Sequence, residues 1–123
     1  MIVIDYSDKR PIYEQIVERF QTLILNGVLE ADEKLPSVRS LAVELSINPN
    51  TIQRAYGELE RSGFVYSVKG RGSFVSGDGM AIEYEKKKML QEFRERMKKY
   101  KEAGISLSEL YRCIEDVYGE VDK

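Results

Sequence analysis

The chain has 123 residues, of which 42% are apolar and 33% charged, and its formal net charge is −2. These values predict one soluble globular domain with at most a short appendage, and no stretch is long and apolar enough for a transmembrane helix. The sequence contains no histidine and a single cysteine, which excludes the commonest general base, an internal disulfide and a multi-cysteine zinc site.

We therefore predict that the protein is not an enzyme and that it carries no catalytic residue, no metal and no cofactor. The N-terminal sequence, MIVIDYSDKRP, lacks the basic-then-apolar order of a secretory signal. This favours a cytoplasmic protein with no membrane partner.

A first helix is predicted after a short extended arm at residues 1–10. Apolar side chains recur at steps of three and four residues between Ile12 and Ile24, which gives the helix one apolar face. Pro11 suits the first turn of this helix, and Gly27 suits its C-terminal stop.

Two further helices are predicted close together. Ser37 is a good N-cap for a short second helix. Asn48 followed by Pro49 supplies a cap and a first helical residue, so that the third helix extends to about Ser62. The two helices are then separated by about three residues, the spacing of a helix-turn-helix.

A β-hairpin is predicted directly after the third helix. Two β-favouring runs, at residues 64–66 and 73–75, flank the glycine-rich turn at residues 67–72. Three helices followed by this hairpin predict a winged helix-turn-helix in residues 1–75, with the hairpin as the wing. The fold class is therefore mainly α with a small β-hairpin.

The pattern of residues 76–123 predicts a segment of two helices, which begins with a flexible joint at residues 76–79. Ser106 and Glu109 form a capping box for the second of these helices. Because two amphipathic helices leave their apolar stripes uncovered, we predict that this segment dimerises as a four-helix arrangement. The alternative is that the pair folds back onto its own winged domain. The predicted dimerisation residues are Leu90, Phe93, Met97, Tyr100, Leu107, Leu110, Tyr111 and Ile114.

Four tyrosines in this segment have two interpretations. Tyr84, Tyr100, Tyr111 and Tyr118 either form interface core or line a cleft for a small apolar or cationic effector, and both alternatives stay open. Cys113 is predicted to be a small buried residue rather than a redox sensor, because a sensor thiol needs exposure and a low pKa.

The start of the third helix carries side chains suited to DNA. Short hydrogen-bonding groups there can reach base edges or phosphates in a major groove. Arg39 would add a contact from the second helix, the alternative being a surface pair with Glu44. The wing tip supplies cations and glycines that let the backbone approach a minor groove or phosphate. The DNA-binding residues predicted from this pattern are Ser37, Arg39, Asn48, Asn50, Thr51, Gln53, Arg54, Lys69, Gly70, Arg71 and Gly72.

The basic charge is confined to part of the winged domain. Residues 1–75 hold 9 basic and 10 acidic residues, whereas residues 61–75 hold Arg61, Lys69 and Arg71 and no acid. A chain that binds DNA with so few cations should depend on dimerisation for its affinity.

Four segments resemble the GntR family of bacterial transcription regulators, in the family's order. They read PIYEQI at residues 11–16, LPSVRSLA at 35–42, NPNTIQRAY at 48–56 and GRGSFV at 70–75. The resemblance implies a winged-helix DNA-binding domain that acts as a dimer. It assigns DNA contact to the following residues: Arg39, Asn48, Pro49, Asn50, Thr51, Gln53, Lys69 and Gly70.

Two positions depart from the family pattern. Asp32 stands where the family often has a turn glycine, which aspartate can replace, and Ser73 stands where threonine is usual. The short tail is similar to that of the YtrA subfamily, whose members often regulate transporter operons. We thus predict a homodimeric repressor on palindromic double-stranded DNA, and we leave open a small-molecule effector as a further partner. The alternative is a winged-helix adaptor that binds protein.

Overall fold

Three helices and a two-stranded antiparallel hairpin form the N-terminal part of the computed structural model, which describes residues 2–77 and 79–120. The elements are α1 (Ile12–Leu25), α2 (Val38–Leu45), α3 (Pro49–Arg61), β1 (Val65–Val68) and β2 (Gly72–Val75), followed by α4 (Met80–Glu102) and α5 (Leu107–Tyr118). The predicted winged helix-turn-helix with two C-terminal helices is confirmed.

Contacts within the chain divide it into two compact units, with the boundary between Tyr84 and Glu85 inside α4. The functional division into residues 1–75 and 76–123 stays a prediction. The predicted joint at residues 76–79 includes Asp78, which lies outside the described residues. Across residues 2–77 and 79–120, no helix has the length and apolar content needed to cross a membrane.

The core of the first unit forms where α1, α2 and β1 pack on α3. The rings of Phe20 and Tyr56 meet edge to face with centroids 5.6 Å apart, which joins α1 to α3. Each fully buried large apolar side chain stabilises such a core by about 1.5–3 kcal/mol. The largest fully buried side chains are Phe20, Phe64, Ile16, Leu41, Ile52, Leu59 and Val75.

The N-terminal arm is fastened to α1 by Gln15. The Asp5 backbone N–H donates to Gln15 Oε1 at 2.9 Å, and Gln15 Nε2 donates to the Asp5 carbonyl oxygen at 3.1 Å. Ile2 is buried in the core beyond this contact. The arm therefore belongs to the winged unit.

The wing is longer, and its turn shorter, than the sequence pattern predicts. Val68 pairs with Gly72, which leaves residues 69–71 as the turn instead of 67–72. The Arg71 N–H donates to the Val68 carbonyl oxygen at 2.9 Å, and Gly70 has a φ of +79°, a left-handed conformation that favours glycine.

The segment before α2 pairs with the outer edge of the wing. The Asp32 N–H donates to the Val75 carbonyl oxygen at 2.8 Å, and the Leu35 N–H donates to the Ser73 carbonyl oxygen at 2.9 Å. These bonds fix the wing against the chain that leads into α2. The start of α2 and the wing are consequently held as neighbours.

Candidate nucleic-acid interface

The turn between α2 and α3 fixes how α3 leaves the core. It consists of the three residues between Leu45 and Pro49, as predicted. Ser46 adopts a left-handed φ of 55° at the end of α2, and Ile47 is buried in the core. The Ile47 N–H donates to the Ala42 carbonyl oxygen at 3.0 Å. The direction of α3 is thus set by both packing and hydrogen bonding.

The first turn of α3 presents polar groups at the surface. Asn48 is the N-cap, as predicted, and its Oδ1 accepts a hydrogen bond from the Asn50 N–H at 2.8 Å. Because the cap uses only the carboxamide oxygen in this bond, the Asn48 NH₂ group remains available to an acceptor outside. Asn48, Pro49, Asn50 and Gln53 are exposed, and Thr51 is half-buried.

Arg54 is held in place by an aromatic ring. Its guanidinium carbon lies 3.7 Å from the ring centroid of Tyr13, which comes from α1. Stacking occupies the face of the guanidinium and leaves its in-plane N–H groups free to donate. The structure therefore orders this cation at the surface of α3, an arrangement that the sequence pattern did not predict.

Arg39 is exposed in the first turn of α2. The predicted alternative pair of Arg39 with Glu44 is not among the ion pairs found between described residues. Ser37 caps α2, as predicted, since its Oγ accepts from the Ser40 N–H at 3.0 Å.

A groove of about 330 Å³ separates the start of α2 from the wing tip. It brings together four of the predicted residues, with Ser37 on the helix side and Gly70, Arg71 and Gly72 on the wing side. Lys69 is exposed in the wing turn. The groove is lined by Lys34, Leu35, Pro36, Ser37, Val38, Tyr56, Gly70, Arg71, Gly72 and Ser73.

Tyr56 connects this groove to the core. Its hydroxyl donates to the Pro36 carbonyl oxygen at 2.7 Å, which holds the chain before α2 against α3. Burial raises the pKa of the Tyr56 phenol above its ordinary value of 10.0. The apolar pattern predicts Tyr56 as a core residue but carries no signal for this hydrogen bond.

Replacing Tyr56 by phenylalanine should lower the free energy of unfolding near neutral pH by about 0.5–1.5 kcal/mol, because the hydrogen bond to Pro36 is lost. The folded pKa of Tyr56 lies above the unfolded one, so its contribution is full below pH 10 and is lost as pH rises through the folded pKa. Urea denaturation at about pH 8 and about pH 11 measures both effects. The stability gap to the unmodified protein should narrow at the higher pH.

The exposed Tyr84 supplies the control for this experiment. Tyr84→Phe removes a hydroxyl from a side chain that is 69% exposed and should leave the curves close to those of the unmodified protein. A gap between Tyr56→Phe and the unmodified protein that stays constant with pH would contradict the assignment of the raised pKa to Tyr56.

The second unit has its own apolar groove, of about 430 Å³, between α4 and α5. Three predicted dimerisation residues, Leu90, Phe93 and Ile114, line it. No described residue of α5 is buried. Of the other predicted residues, Leu107 and Tyr111 are exposed, and Met97, Tyr100 and Leu110 are half-buried. The remaining lining residues are Met89, Cys113, Val117 and Tyr118.

The prediction that Cys113 is buried is wrong. Its side chain is exposed and forms part of the groove wall beside Ile114. The physical reason is that two helices cover only one side of each other, so a residue on the apolar stripe of α5 still faces outward. Tyr118, at the end of the same helix, also lines the groove.

Comparison with known proteins shows a family match in the winged unit. Residues 12–75 match the model of the bacterial regulatory proteins of the gntR family. The chain belongs to the GntR family. GntR proteins are transcription regulators, which confirms both the resemblance seen in the four sequence segments and the prediction that the chain is not an enzyme.

Individual relatives extend this likeness to the C-terminal tail. The HTH-type transcriptional repressor YtrA of Bacillus subtilis is 37% identical over 98% of this chain and 95% of its own length. A GntR family transcriptional regulator from Listeria monocytogenes has a TM-score of 0.77 and 37% identity, over 92% of this chain and 98% of that one. The short two-helix tail is therefore of the YtrA type.

A third structure contains DNA. The DNA-binding domain of AraR, in complex with an operator, has a TM-score of 0.53 and 30% identity, and the match covers 62% of this chain and 93% of that one. Together with the family match, this likeness identifies the chain as a DNA-binding transcription regulator of the GntR family.

Proposed function

We propose that this GntR regulator is a repressor that binds a palindromic operator as a homodimer. A two-fold axis would place the two α3 helices in successive major grooves, with half-sites about one helical turn apart. The observation that carries the proposal is the exposure of the polar start of α3 in the same unit as the groove between α2 and the wing.

The proposed roles follow from where each side chain lies. Base edges are read or positioned by the exposed residues at the starts of α2 and α3, together with the half-buried Thr51. The exposed residues are Arg39, Asn48, Pro49, Asn50 and Gln53. Arg54, ordered by Tyr13, binds a phosphate. Lys69 to Gly72 form the wing tip that contacts the flanking groove, where glycines permit close backbone approach. Ser37 contributes a further DNA contact from the start of α2.

Dimerisation is proposed for the tail because its apolar side chains lack cover. Phe93 is 40% exposed and Leu90 is 68% exposed, although both line an apolar groove. A second copy of α4 and α5 would bury these side chains in a four-helix arrangement. The proposed contacts are Leu90, Phe93, Met97, Tyr100, Leu107, Leu110, Tyr111 and Ile114.

Repression is proposed because the Bacillus subtilis relative is named a repressor. From the YtrA resemblance we further propose that the target is a transporter operon and that the regulator works in the cytoplasm, where it meets DNA. A small-molecule effector that binds in the apolar groove between α4 and α5 would release the regulator from the operator.

Selection from a random pool of duplex DNA at moderate salt tests the proposal. Enrichment of an inverted repeat would support a dimeric sequence-specific regulator, and the position of that repeat in the source genome would identify the regulated operon. Enrichment of a single half-site would contradict the dimer. A folded protein that enriches no sequence would contradict specific binding without an effector and would favour a protein-binding role.

A further inference from the structure

Lys34 is a cation of the α2–wing groove that the sequence pattern does not single out. Its backbone forms a bridge with Phe74 of β2. The Val75 N–H donates to the Glu33 carbonyl oxygen at 2.9 Å, and the Leu35 N–H donates to the Ser73 carbonyl oxygen at 2.9 Å. Lys34 is thus fixed to the wing by hydrogen bonds on both sides.

The side chain of Lys34 lies against Gly72 at the base of the wing turn. A Cβ atom on Gly72 would stand 3.1 Å from Lys34 Cε and 3.9 Å from Nζ. Because glycine has no Cβ atom, position 72 leaves open the space that the end of the Lys34 side chain occupies. This places the ammonium group in the groove that Gly70 and Arg71 also line.

The charge in this groove is of one sign. Its lining includes Lys34 and Arg71 and no acidic residue. The ion pairs of the described residues involve other cations, so neither charge is neutralised by a carboxylate there. A groove with two cations and no acid favours an anion, and its position between α2 and the wing makes a DNA phosphate the fitting one.

We propose that Lys34 binds a backbone phosphate of the operator in this groove and so fixes the position of the wing on the duplex. The inference rests on the proposed function, since it assumes that α2 and the wing face DNA. A phosphate contact carries no base information, so Lys34 contributes affinity and salt dependence and does not contribute to sequence preference.

The test compares Lys34→Gln with the unmodified protein in binding titrations over a salt series, on the selected operator and on an unrelated duplex. Loss of one phosphate contact makes the negative slope of log K against log salt shallower by about 0.9. A fourfold rise in salt should then narrow the affinity gap by about 3.5-fold. The gap should be similar for both duplexes.

Two variants control this experiment. Lys9→Gln removes the same charge from an exposed position in the N-terminal arm and should keep the full slope. Lys34→Arg keeps a cation and should restore most of the affinity. Thermal unfolding of each variant checks that the fold is intact.

The outcomes separate the inference from the proposed function. If the unmodified protein binds the operator but Lys34→Gln has an unchanged slope, the phosphate contact is wrong. A loss confined to the operator would also overturn it, because that result indicates base contact. If the unmodified protein binds neither duplex, the proposed function itself fails.

Discussion

Arg39→Ala is expected to weaken operator binding by about 1–3 kcal/mol, or roughly 5- to 150-fold, if the guanidinium makes a bidentate contact with a base. Arg39 is exposed in the first turn of α2 and belongs to none of the ion pairs of the described residues. Its removal should therefore change DNA binding without lowering the free energy of unfolding.

Fluorescence anisotropy at matched salt measures this effect on the operator and on an unrelated duplex. The loss should be larger on the operator, because a base contact is made only with the correct sequence. Arg39→Lys keeps the charge but not the planar fork of donors, so it should recover little specificity. Equal operator affinity for Arg39→Ala and the unmodified protein would remove Arg39 from the interface.

Arg61→Ala is a suitable control for Arg39→Ala. Arg61 lies at the opposite end of α3 from the predicted contacts and pairs with Glu58 on the same helix. An exposed pair of this kind contributes little to stability. The variant loses the same charge and should bind the operator much as the unmodified protein does.

The helix starts could be predicted from the sequence because capping is local chemistry. Ser37 and Asn48 each accept from a backbone N–H two or three residues later, and Ser106 forms its capping box with Glu109. These contacts lie within one turn, so the residue order alone indicates them. The helix-turn-helix spacing and the polar start of α3 follow directly.

Contacts between distant segments could not be predicted in this way. The Tyr56 hydroxyl meets Pro36 across 20 positions in the chain, and Gln15 meets Asp5 across 10. Lys34 enters the groove because its backbone pairs with β2. No local pattern carries these facts, because they depend on how the elements pack.

Asp32 shows how a departure from the family pattern is accommodated. Its φ of +65° is left-handed, which explains why a turn glycine suits this position, and aspartate is among the residues that tolerate it. The Tyr66 hydroxyl donates to Asp32 Oδ1 at 2.7 Å. The carboxylate thus makes a contact with the wing that glycine could not supply.

Phe93→Glu is expected to disrupt the dimer and, through it, operator binding. The substitution puts a carboxylate into the apolar groove between α4 and α5, where burial against a second copy would require its desolvation. A monomer can hold only one half-site at a time, so the gain from linking two half-sites, about 10²- to 10⁴-fold, should be lost.

Light scattering after size-exclusion chromatography measures the dimer, and anisotropy measures operator affinity. Gln91→Glu is the charge control, because it adds the same charge to α4 at an exposed residue outside the groove lining. It removes only the exposed hydrogen bond from Gln91 Nε2 to Glu95 Oε1. It should stay dimeric and bind normally.

The relation between the two measurements decides what the tail does. A monomeric Phe93→Glu that binds a single half-site as well as the unmodified protein would separate dimerisation from base recognition, as expected if α3 and the wing alone contact DNA. A dimeric Phe93→Glu with full operator affinity would contradict the proposed interface and would favour the alternative in which the tail folds back on its own winged domain.

The double substitution Tyr100→Ala with Tyr111→Ala tests the effector. An intact dimer that no longer responds to an inducer would identify the tyrosines as a ligand site. Loss of the dimer would identify them as interface core.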